Sequence, residues 1–325
     1  MAVLVTGGGG FVGLNLVEAL LALGEEVILF DTGMLPPAAQ RALAGYGRQL
    51  NVAQADVRDA AQVNQVFESH SIERIAHCAA VTSGPARESR DPATIVHINI
   101  HGTLNVLEAA RAHGVKRVVY TSSGAVYGES LYRLARLYEE SPVMPITLYG
   151  ITKFSAERLC ARMRALWDLD VVCVRLGTVI GPWERDTGMR DNYGTHTQLA
   201  GMAIAGKRAV LTPREVRRDW VYSRDVAAGL IALLDEASPP HALYNLSSGI
   251  EWVNPIRQWC DALKTAYPGF DFHVAAAGEE PNIWYTDVDR GLMDIGRIAQ
   301  DIGFVPRFGQ TEAYADYLDW LQRFQ

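Results

Sequence analysis

One pair of residues has the spacing of a proton-transfer site. Tyr149 and Lys153 form a YxxxK pattern, and residues four apart lie on one face of a helix. A lysine charge one turn away lowers the pKa of a phenol, which can then exchange a proton with a hydroxyl or a carbonyl. The pattern is common, and its ordinary interpretation is a surface pair. The catalytic interpretation is favoured by Ser123, which follows a predicted strand and could bind the same reacting oxygen.

A glycine-rich turn lies between the first predicted strand and the first predicted helix. Gly7, Gly10 and Gly13 give the spacing GxxGxxG, which allows a sharp turn and the close approach of a pyrophosphate to the backbone. Free N–H groups at the start of the helix attract phosphate. Asp31 ends the second strand, where a carboxylate holds both ribose hydroxyls of NAD and repels a 2′-phosphate. The alternative is a glycine turn without a ligand, but the context favours a dinucleotide site, with NAD over NADP.

Short apolar runs alternate with helical patterns through the first half of the chain, which indicates a parallel sheet covered on both faces. We predict an α/β protein with a doubly wound (Rossmann) domain over residues 1–176 and a returning segment at about 219–246. After Gly177, prolines and polar loops shorten the elements, so residues 177–325 should form mainly a second, smaller α/β substrate domain. The predicted strands are 2–6, 26–30, 50–55, 74–79, 117–122 and 171–176, and the predicted helices include 14–23, 92–113 and 152–167.

The composition excludes several classes of protein. The 325 residues include 30 Lys+Arg and 37 Asp+Glu, and the net charge of −7 argues against non-specific binding of nucleic acid. No apolar run approaches the roughly 20 residues of a membrane span, and the first residues do not resemble a signal peptide. Cys78, Cys160, Cys173 and Cys260 form no CxxC pair and are predicted to be free thiols. We therefore expect a cytoplasmic protein whose partner is a small molecule, with no membrane or nucleic-acid partner.

Several motifs occur in a characteristic order along the chain. They are the glycine turn with Asp31, Asp56-Val57, Ala79-Ala80, Asn99, the run Ser122-Ser123-Gly124-Ala125-Val126-Tyr127-Gly128, Tyr149 with Lys153, Gly181-Pro182, and Arg218-Asp219-Trp220. Together they make the sequence resemble the extended short-chain dehydrogenase/reductases, the NAD-dependent epimerase/dehydratase family. The resemblance covers nearly the whole chain and indicates a family rather than one reaction.

The resemblance implies a role for each matching residue. Ser123, Tyr149 and Lys153 would be catalytic, with a hydride passing between a secondary carbon and the nicotinamide while Tyr149 gives or takes the proton. Lys153 would also hold the nicotinamide ribose, and Asn99 has local bonding to the backbone as its alternative role. The implied contacts of the cofactor NAD are Gly7, Gly10, Phe11, Val12, Gly13, Asp31, Asp56, Val57, Ala79, Ala80, Asn99, Thr121, Tyr149 and Lys153.

The substrate side departs from the sugar-nucleotide members that the chain resembles. Arg218 matches the arginine of their R-D-[FYW]-x-[YH] motif, but Thr178 stands where they usually carry asparagine. The later arginine of an R-P-G-D segment is absent, and the corresponding residues 279–282 carry two glutamates, which would repel a diphosphate. Arg185 and Arg190 could join Arg218 in binding a carboxylate or one phosphate. Alternatively, both pair with neighbouring acids in solvent.

Three functional hypotheses remain. Dehydration is discounted, because Ser122-Ser123-Gly124 replaces the Thr-Asp-Glu triplet of the dehydratases. We favour a net dehydrogenase of a sugar, a sugar acid or a polyol, since the diphosphate-binding set is incomplete. The alternative is a nucleotide-sugar epimerase, which oxidises and re-reduces its substrate in one turnover. The third is a non-catalytic NAD-binding protein, which the presence of both Tyr149 and Lys153 disfavours.

Other signals are weaker. His97 and His101 lie one turn apart without an evident third ligand, so no metal site is predicted. The resemblance implies a homodimer built from helices 92–113 and 152–167, although their apolar faces fit packing on the sheet equally well. Trp183 begins the predicted substrate loop. The tryptophans predicted to pack the smaller domain are Trp252, Trp259, Trp284 and Trp320.

Overall fold

The structure, a computed structural model, describes residues 2–283 and 288–324. The strands of this part of the chain are β1 (Ala2–Thr6), β2 (Val27–Asp31), β3 (Leu50–Gln54), β4 (Ile72–His77), β5 (Arg117–Ser123), β6 (Arg136–Leu137), β7 (Val171–Leu176), β8 (Thr178–Ile180), β9 (Arg208–Leu211), β10 (Trp220–Tyr222), β11 (Leu243–Leu246), β12 (Asp271–Val274) and β13 (Leu292–Met293). The α-helices are α1 (Phe11–Ala22), α2 (Pro37–Leu43), α3 (Ala60–Ser69), α4 (Pro85–Arg90), α5 (Pro92–Val96), α6 (Gly102–Ala112), α7 (Ser130–Arg133), α8 (Leu148–Trp167), α9 (Thr195–Ile204), α10 (Ser223–Asp235), α11 (Pro255–Ala266), α12 (Gly296–Ile302) and α13 (Gln310–Phe324).

Seven parallel strands form the central sheet, in the order β3-β2-β1-β4-β5-β7-β11. Strand β1 lies between β2 and β4, so the chain winds outward from it in both directions. A ligand site is expected outside the carboxyl ends of the strands at such a switch point. This arrangement is the predicted doubly wound α/β fold.

Apolar layers cover both faces of the sheet. Val3 and Val5 of β1 belong to the same buried cluster as residues of α1 and α10, whereas Leu4 points into a second cluster with α6 and α8. Strands β1 and β7 are buried along their whole lengths, as a parallel sheet covered by helices requires. The apolar runs of the sequence therefore identify the central strands directly.

The later part of the chain contributes to two layers. Helix α10 belongs to the cluster on one face of the sheet, and β11 pairs with β7 at its edge. Helix α9 packs on β9, which pairs with β12, while α11 packs on both α9 and α13. The predicted boundary between the two domains, at residue 177, stays a prediction.

The tryptophans are mostly core residues. Trp252, Trp259 and Trp320 are buried as predicted, whereas Trp284 lies outside the described residues. Trp183 is also buried, and its ring centroid lies 4.9 Å from that of Trp320. It therefore anchors the start of a loop instead of offering an aromatic surface to a ligand.

No helix in the described ranges is both long and apolar enough to cross a membrane. In the same ranges, no group of three His, Cys, Asp or Glu side chains is arranged to hold a metal ion. All four cysteines are free thiols.

Candidate active site

A cleft of about 860 Å³ opens at the carboxyl ends of β1, β2, β4 and β5. Segments 176–179, 185–195, 218–220 and 290–293 line its other side. Its volume is that of a small-molecule or cofactor site. The fold therefore places a large cleft where a doubly wound sheet binds its ligands.

Tyr149 lies in the first turn of α8, and Lys153 follows one turn later. Thr147 caps this helix, since its Oγ1 accepts a hydrogen bond from Gly150 N at 3.0 Å. Both Tyr149 and Lys153 line the cleft. The predicted pair is thus held on the beginning of a 20-residue helix.

Lys153 is almost completely buried. Its Nζ donates to Thr121 O at 2.7 Å and lies 4.8 Å from the centroid of the Tyr120 ring. Burial lowers the pKa of Lys153, and the negative charge that Tyr149 can carry opposes that change. The lysine amine is therefore held at the end of β5, one helical turn from the tyrosine.

Two neighbouring serines at the end of β5 have different partners. Ser122 Oγ donates to the buried Glu157 at 2.5 Å, and Glu157 also binds Arg175 with both carboxylate oxygens. Ser123 Oγ accepts a hydrogen bond from Ala125 N at 3.1 Å, which leaves its hydroxyl proton to be donated. Ser123 lines the cleft. These contacts favour Ser123 over Ser122 as the serine that meets a reacting oxygen.

The glycine turn has no room for side chains at its two closest approaches. Gly7 has a φ of +64°, and a Cβ there would lie 2.7 Å from the backbone of Ala79. A Cβ on Gly13 would lie 2.1 Å from Gly7 O. Glycine therefore permits the tight packing of α1 on the sheet, with Gly10 at the helix N-cap.

Asp31 is held beside this turn. Its Oδ2 accepts a hydrogen bond from Gly9 N at 2.9 Å, and its Oδ1 accepts one from Gly33 N at 3.1 Å. The carboxylate lines the cleft. A narrow glycine cradle, a helix start and a carboxylate at the end of β2 together fit a dinucleotide.

The other predicted cofactor contacts mostly line the same cleft. Asp56 pairs with Arg58 at 2.6 Å, which lowers the pKa of the Asp56 carboxyl, and Val57 packs against Gly102. The cleft is also lined by Phe11, Val12, Ala79, Ala80 and Thr121.

Asn99 is an exception. Its Oδ1 accepts from Val81 N at 2.8 Å, and its Nδ2 donates to Val81 O and to Thr152 Oγ1. It is buried and does not line the cleft. Asn99 thus has the backbone contacts of its alternative role and joins the loop after β4 to α8, while the implied cofactor contact stays a prediction.

Sequence reasoning missed a buried histidine under the cleft. His77 Nδ1 is hydrogen-bonded to Thr6 Oγ1 at 2.6 Å, and its Nε2 to Thr103 Oγ1 at 3.0 Å. Burial lowers the pKa of His77 to about 3, so the ring is neutral at ordinary pH. Strands β1 and β4 are thereby fixed to α6 beside the predicted nicotinamide lining. A lone histidine in a strand gave no signal of this role.

Two arginines line the substrate side of the cleft. Arg218 is buried, and Arg290 stands over Tyr132, with its guanidinium carbon 5.7 Å from the ring centroid. The Nε of Arg290 is buried without a hydrogen-bond partner among the described residues. Arg290 N donates to Arg217 O, which places the two arginine segments side by side. Sequence analysis missed Arg290, because no motif marks it.

Asp219 and Thr178 lie next to these arginines. Thr178 N donates to Asp219 O at 2.7 Å, and both residues line the cleft. Burial raises the pKa of Asp219 to about 7, while Ser247 and the backbone of Met293 act in the opposite direction. This carboxyl is a second feature that sequence reasoning missed.

Two of the predicted substrate arginines lie close to the glycine turn. Arg185 Nη2 donates to Gly9 O at 2.7 Å, and the Arg190 guanidinium lies 5.7 Å from the centroid of the Phe11 ring. Both therefore lie against the glycine turn, in the cleft that Arg218 also lines, and their contact with a substrate stays a prediction. Arg190 does pair with a neighbouring acid, Glu184, at 2.9 Å, as the alternative expects, but that carboxylate is buried instead of lying in solvent.

The expected acidic patch is also absent from the cleft. Glu279 binds His273 at 2.8 Å on the surface, and residues 279–282 do not line the cleft. These glutamates therefore do not supply the predicted repulsion of a diphosphate in the cleft.

Comparison with known proteins identifies the family. The model of the NAD-dependent epimerase/dehydratase family matches residues 3–247, a span that includes the glycine turn, Asp31 and the Tyr149–Lys153 pair. The chain belongs to the NAD-dependent epimerase/dehydratase family. This membership confirms the predicted NAD-dependent enzyme class and its cofactor.

Relatives within the family include several sugar-nucleotide epimerases. The UDP-glucose 4-epimerase of Mycolicibacterium smegmatis is 29% identical over 336 residues, which cover 99% of each chain. The UDP-glucose 4-epimerase of Halalkalibacterium halodurans is 32% identical over 181 residues, and the match spans 56% of this chain and 52% of that enzyme.

Solved structures of family members share the whole fold. The Thermus thermophilus UDP-glucose 4-epimerase in complex with NAD superimposes with a TM-score of 0.80 over 99% of both chains, at 27% identity. The UDP-glucuronic acid 4-epimerase of Bacillus cereus gives a TM-score of 0.81 over the full length of both chains, at 20% identity. The predicted two-domain fold of the family is confirmed.

Proposed function

We propose that this family member is a nucleotide-sugar 4-epimerase, which inverts one secondary alcohol of a sugar linked to a nucleoside diphosphate. The observation that carries the proposal is a single cleft lined by Tyr149, Lys153 and Ser123 and also by Arg218 and Arg290. The first three side chains suit proton transfer at a hydroxyl. The two arginines suit a diphosphate. The sugar-nucleotide 4-epimerases among its relatives support the same choice.

In the proposed reaction, Tyr149 takes the proton of the sugar hydroxyl and later returns a proton to the same oxygen. Ser123 donates a hydrogen bond to that oxygen, and the Lys153 charge stabilises the ionised phenol. When bound, NAD supplies the hydride acceptor and returns the hydride, so no net oxidation results. Arg218 and Arg290 hold the diphosphate while the oxidised sugar presents its other face.

Arg290 changes the balance between the two enzyme hypotheses. The net dehydrogenase hypothesis depends on an incomplete diphosphate-binding set, with Thr178 in place of an asparagine and the later arginine absent. Arg290 reaches the same cleft from a different point in the sequence, and it carries an Nε without a described partner. Charge-assisted hydrogen bonds from two guanidinium groups suit a diphosphate better than a free sugar.

The test is the fate of both substrate and cofactor. Purified protein with NAD would be incubated with UDP-glucose, UDP-N-acetylglucosamine, UDP-glucuronic acid, free glucose and free glucuronic acid. We expect one nucleotide sugar to yield its C4 isomer by NMR, without accumulation of NADH at 340 nm. Multiple-turnover formation of NADH from a free sugar or sugar acid would establish the net dehydrogenase instead.

A substitution of Arg290 tests its assignment to the diphosphate site. Arg290→Gln should raise the KM for the nucleotide sugar roughly ten- to a hundredfold, which is the loss of a charged hydrogen bond. Arg133→Gln is the matched control, because Arg133 at the end of α7 is exposed and pairs with Glu129, the residue that precedes this helix. Equal KM values for the two variants would remove Arg290 from the diphosphate site.

A further inference from the structure

A segment of the substrate side crosses onto the cofactor side of the cleft. We call residues 183–194 the strap. At its beginning, Trp183 Nε1 donates to Glu18 at 3.2 Å while its ring packs on Trp320. At its end, Gly194 N donates to the buried carboxylate of Glu184 at 3.0 Å. Both ends of the strap are therefore fixed.

The middle of the strap is tied to the loop after β4. Thr82 N donates to Met189 O at 2.8 Å, and Asp191 N donates to Thr82 O at 3.1 Å. Asp191 also accepts hydrogen bonds from Gly84 N and forms an ion pair with Arg87 at 2.6 Å. These contacts hold the strap across the cofactor side of the cleft.

Arg185 projects from the strap to the glycine turn. Its Nη2 donates to Gly9 O, but its Nη1 is buried and has no hydrogen-bond partner among the described residues. Both oxygens of the nearby Asp31 already accept hydrogen bonds from backbone amides. A buried guanidinium edge without a partner is costly, so this edge fits an anion that enters the cleft.

We propose that Arg185 binds the pyrophosphate of the dinucleotide and that the strap closes over the bound cofactor. The pyrophosphate belongs at the N-terminus of α1 in this fold, and Gly9 immediately precedes the N-cap Gly10. Arg185 lines this part of the cleft, and its charge adds to that of the helix N-terminus. The inference requires only dinucleotide binding, so it is independent of the proposed sugar substrate.

Ligands with and without phosphate test the role of Arg185. Protein freed of cofactor would be titrated calorimetrically with adenosine, ADP-ribose and NAD. We expect Arg185→Gln to weaken ADP-ribose and NAD roughly ten- to a hundredfold, as for a lost charged hydrogen bond, with adenosine changed less than about twofold. Arg185→Lys should recover part of the loss, since it keeps the charge without the planar fork.

Arg58→Gln is the matched control. Arg58 lines the same cleft but is already bound by Asp56. Its loss should not weaken ADP-ribose more than adenosine. Unchanged ADP-ribose binding in Arg185→Gln would overturn the assignment to the cofactor. Equal weakening of adenosine and ADP-ribose would also overturn it, because a phosphate contact cannot act on adenosine.

Release of NAD tests closure of the strap. Asp191→Asn removes the charge that pairs with Arg87 while leaving Arg185 intact. We expect the NAD dissociation rate, measured by stopped-flow fluorescence, to rise at least about fivefold, with circular dichroism unchanged. An unchanged rate would show that the strap does not retain the cofactor. Neither result depends on sugar turnover, so failure of this inference and failure of the proposed epimerase activity are separately visible.

Discussion

The phenol of Tyr149 is the group on which the proposed chemistry depends. Tyr149→Phe removes one oxygen and keeps the ring in the first turn of α8. Turnover should fall about 10²- to 10⁴-fold, the usual contribution of a general acid–base group. NAD affinity should stay within about twofold, because the glycine turn and Asp31 are unchanged. Steady-state kinetics and calorimetry measure the two effects, and a variant with full activity would remove Tyr149 from the mechanism.

Asp31 should determine the choice between NAD and NADP. Its carboxylate is fixed by Gly9 N and Gly33 N, at the end of β2 where a ribose is expected. Asp31→Ala should weaken NAD roughly tenfold or more and reduce discrimination against NADP, because an acceptor and a negative charge are both lost. Asp31→Asn is the matched variant, which keeps an acceptor oxygen without the charge. An NAD/NADP affinity ratio that does not change in either variant would show that Asp31 does not contact the ribose.

At the residue scale, prediction from sequence worked where chemistry depends on local spacing. The positions of Tyr149 and Lys153 follow from one helical turn, and that of Asp31 follows from the end of a strand. Arg290 had no such signal, because tertiary folding brings it to the cleft from a segment distant in sequence, and the motif that contains Asp219 does not reveal that its carboxyl is buried. The ligand of Arg185 is not predictable from spacing for a related reason, since the path of its loop decides which ligand it faces.

At the scale of elements, Asn99 sets the position of the helix that carries Tyr149. It lies in a π-helical turn, His97–His101, between α5 and α6, and it bonds to both Val81 and Thr152. The sequence predicts one helix over 92–113, because apolar periodicity does not reveal a turn that is wider by one residue. It also predicts a later start for α8, since Gly150 near the helix start obscures the cap at Thr147.

Asn99→Ala should reduce turnover more than NAD binding. The change leaves Val81 N and O and the Thr152 hydroxyl without their buried amide partner, at a cost of about 2–4 kcal/mol in unfolding free energy. The turnover number should fall as Tyr149 loses its exact position. Asn105→Ala is the control, since Asn105 bonds only Val57 O and makes no contact to α8 in the described contacts. A turnover number that drops equally in both variants would contradict a specific role of Asn99.

At the scale of the whole molecule, two buried histidines make the fold less stable in acid. His77 lies under the cleft, and His196 lies among Trp220, Trp259 and Tyr314 in the other part of the chain. Burial lowers the pKa of each to about 3. The unfolded chain, with histidine pKa values near 6.5, therefore binds more protons between pH 6.5 and 3, so acid favours unfolding.

Asp219 acts in the opposite direction. Its folded pKa of about 7 exceeds the ordinary value of 3.8, so the folded state binds the extra proton between pH 7 and 3.8. Acidification through that window stabilises the fold by about 1.4 kcal/mol per pH unit, whereas each histidine destabilises it by the same amount. For these three groups together, the free energy of unfolding should fall by about 1.4 kcal/mol per unit between pH 6 and 4.

His196→Phe removes one of these titrating groups and so measures its contribution. Tyr314 keeps a partner in this variant, because its hydroxyl also donates to Pro255 O at 2.8 Å. The variant should therefore be less sensitive to acid. Between pH 6 and 4, the slope of its free energy of unfolding against pH should be smaller than that of the unsubstituted protein by about 1.4 kcal/mol per pH unit. Urea denaturation at four pH values gives both slopes. Only the slopes are compared, so an offset in stability from repacking does not affect the result, and parallel curves would show that His196 does not titrate on unfolding.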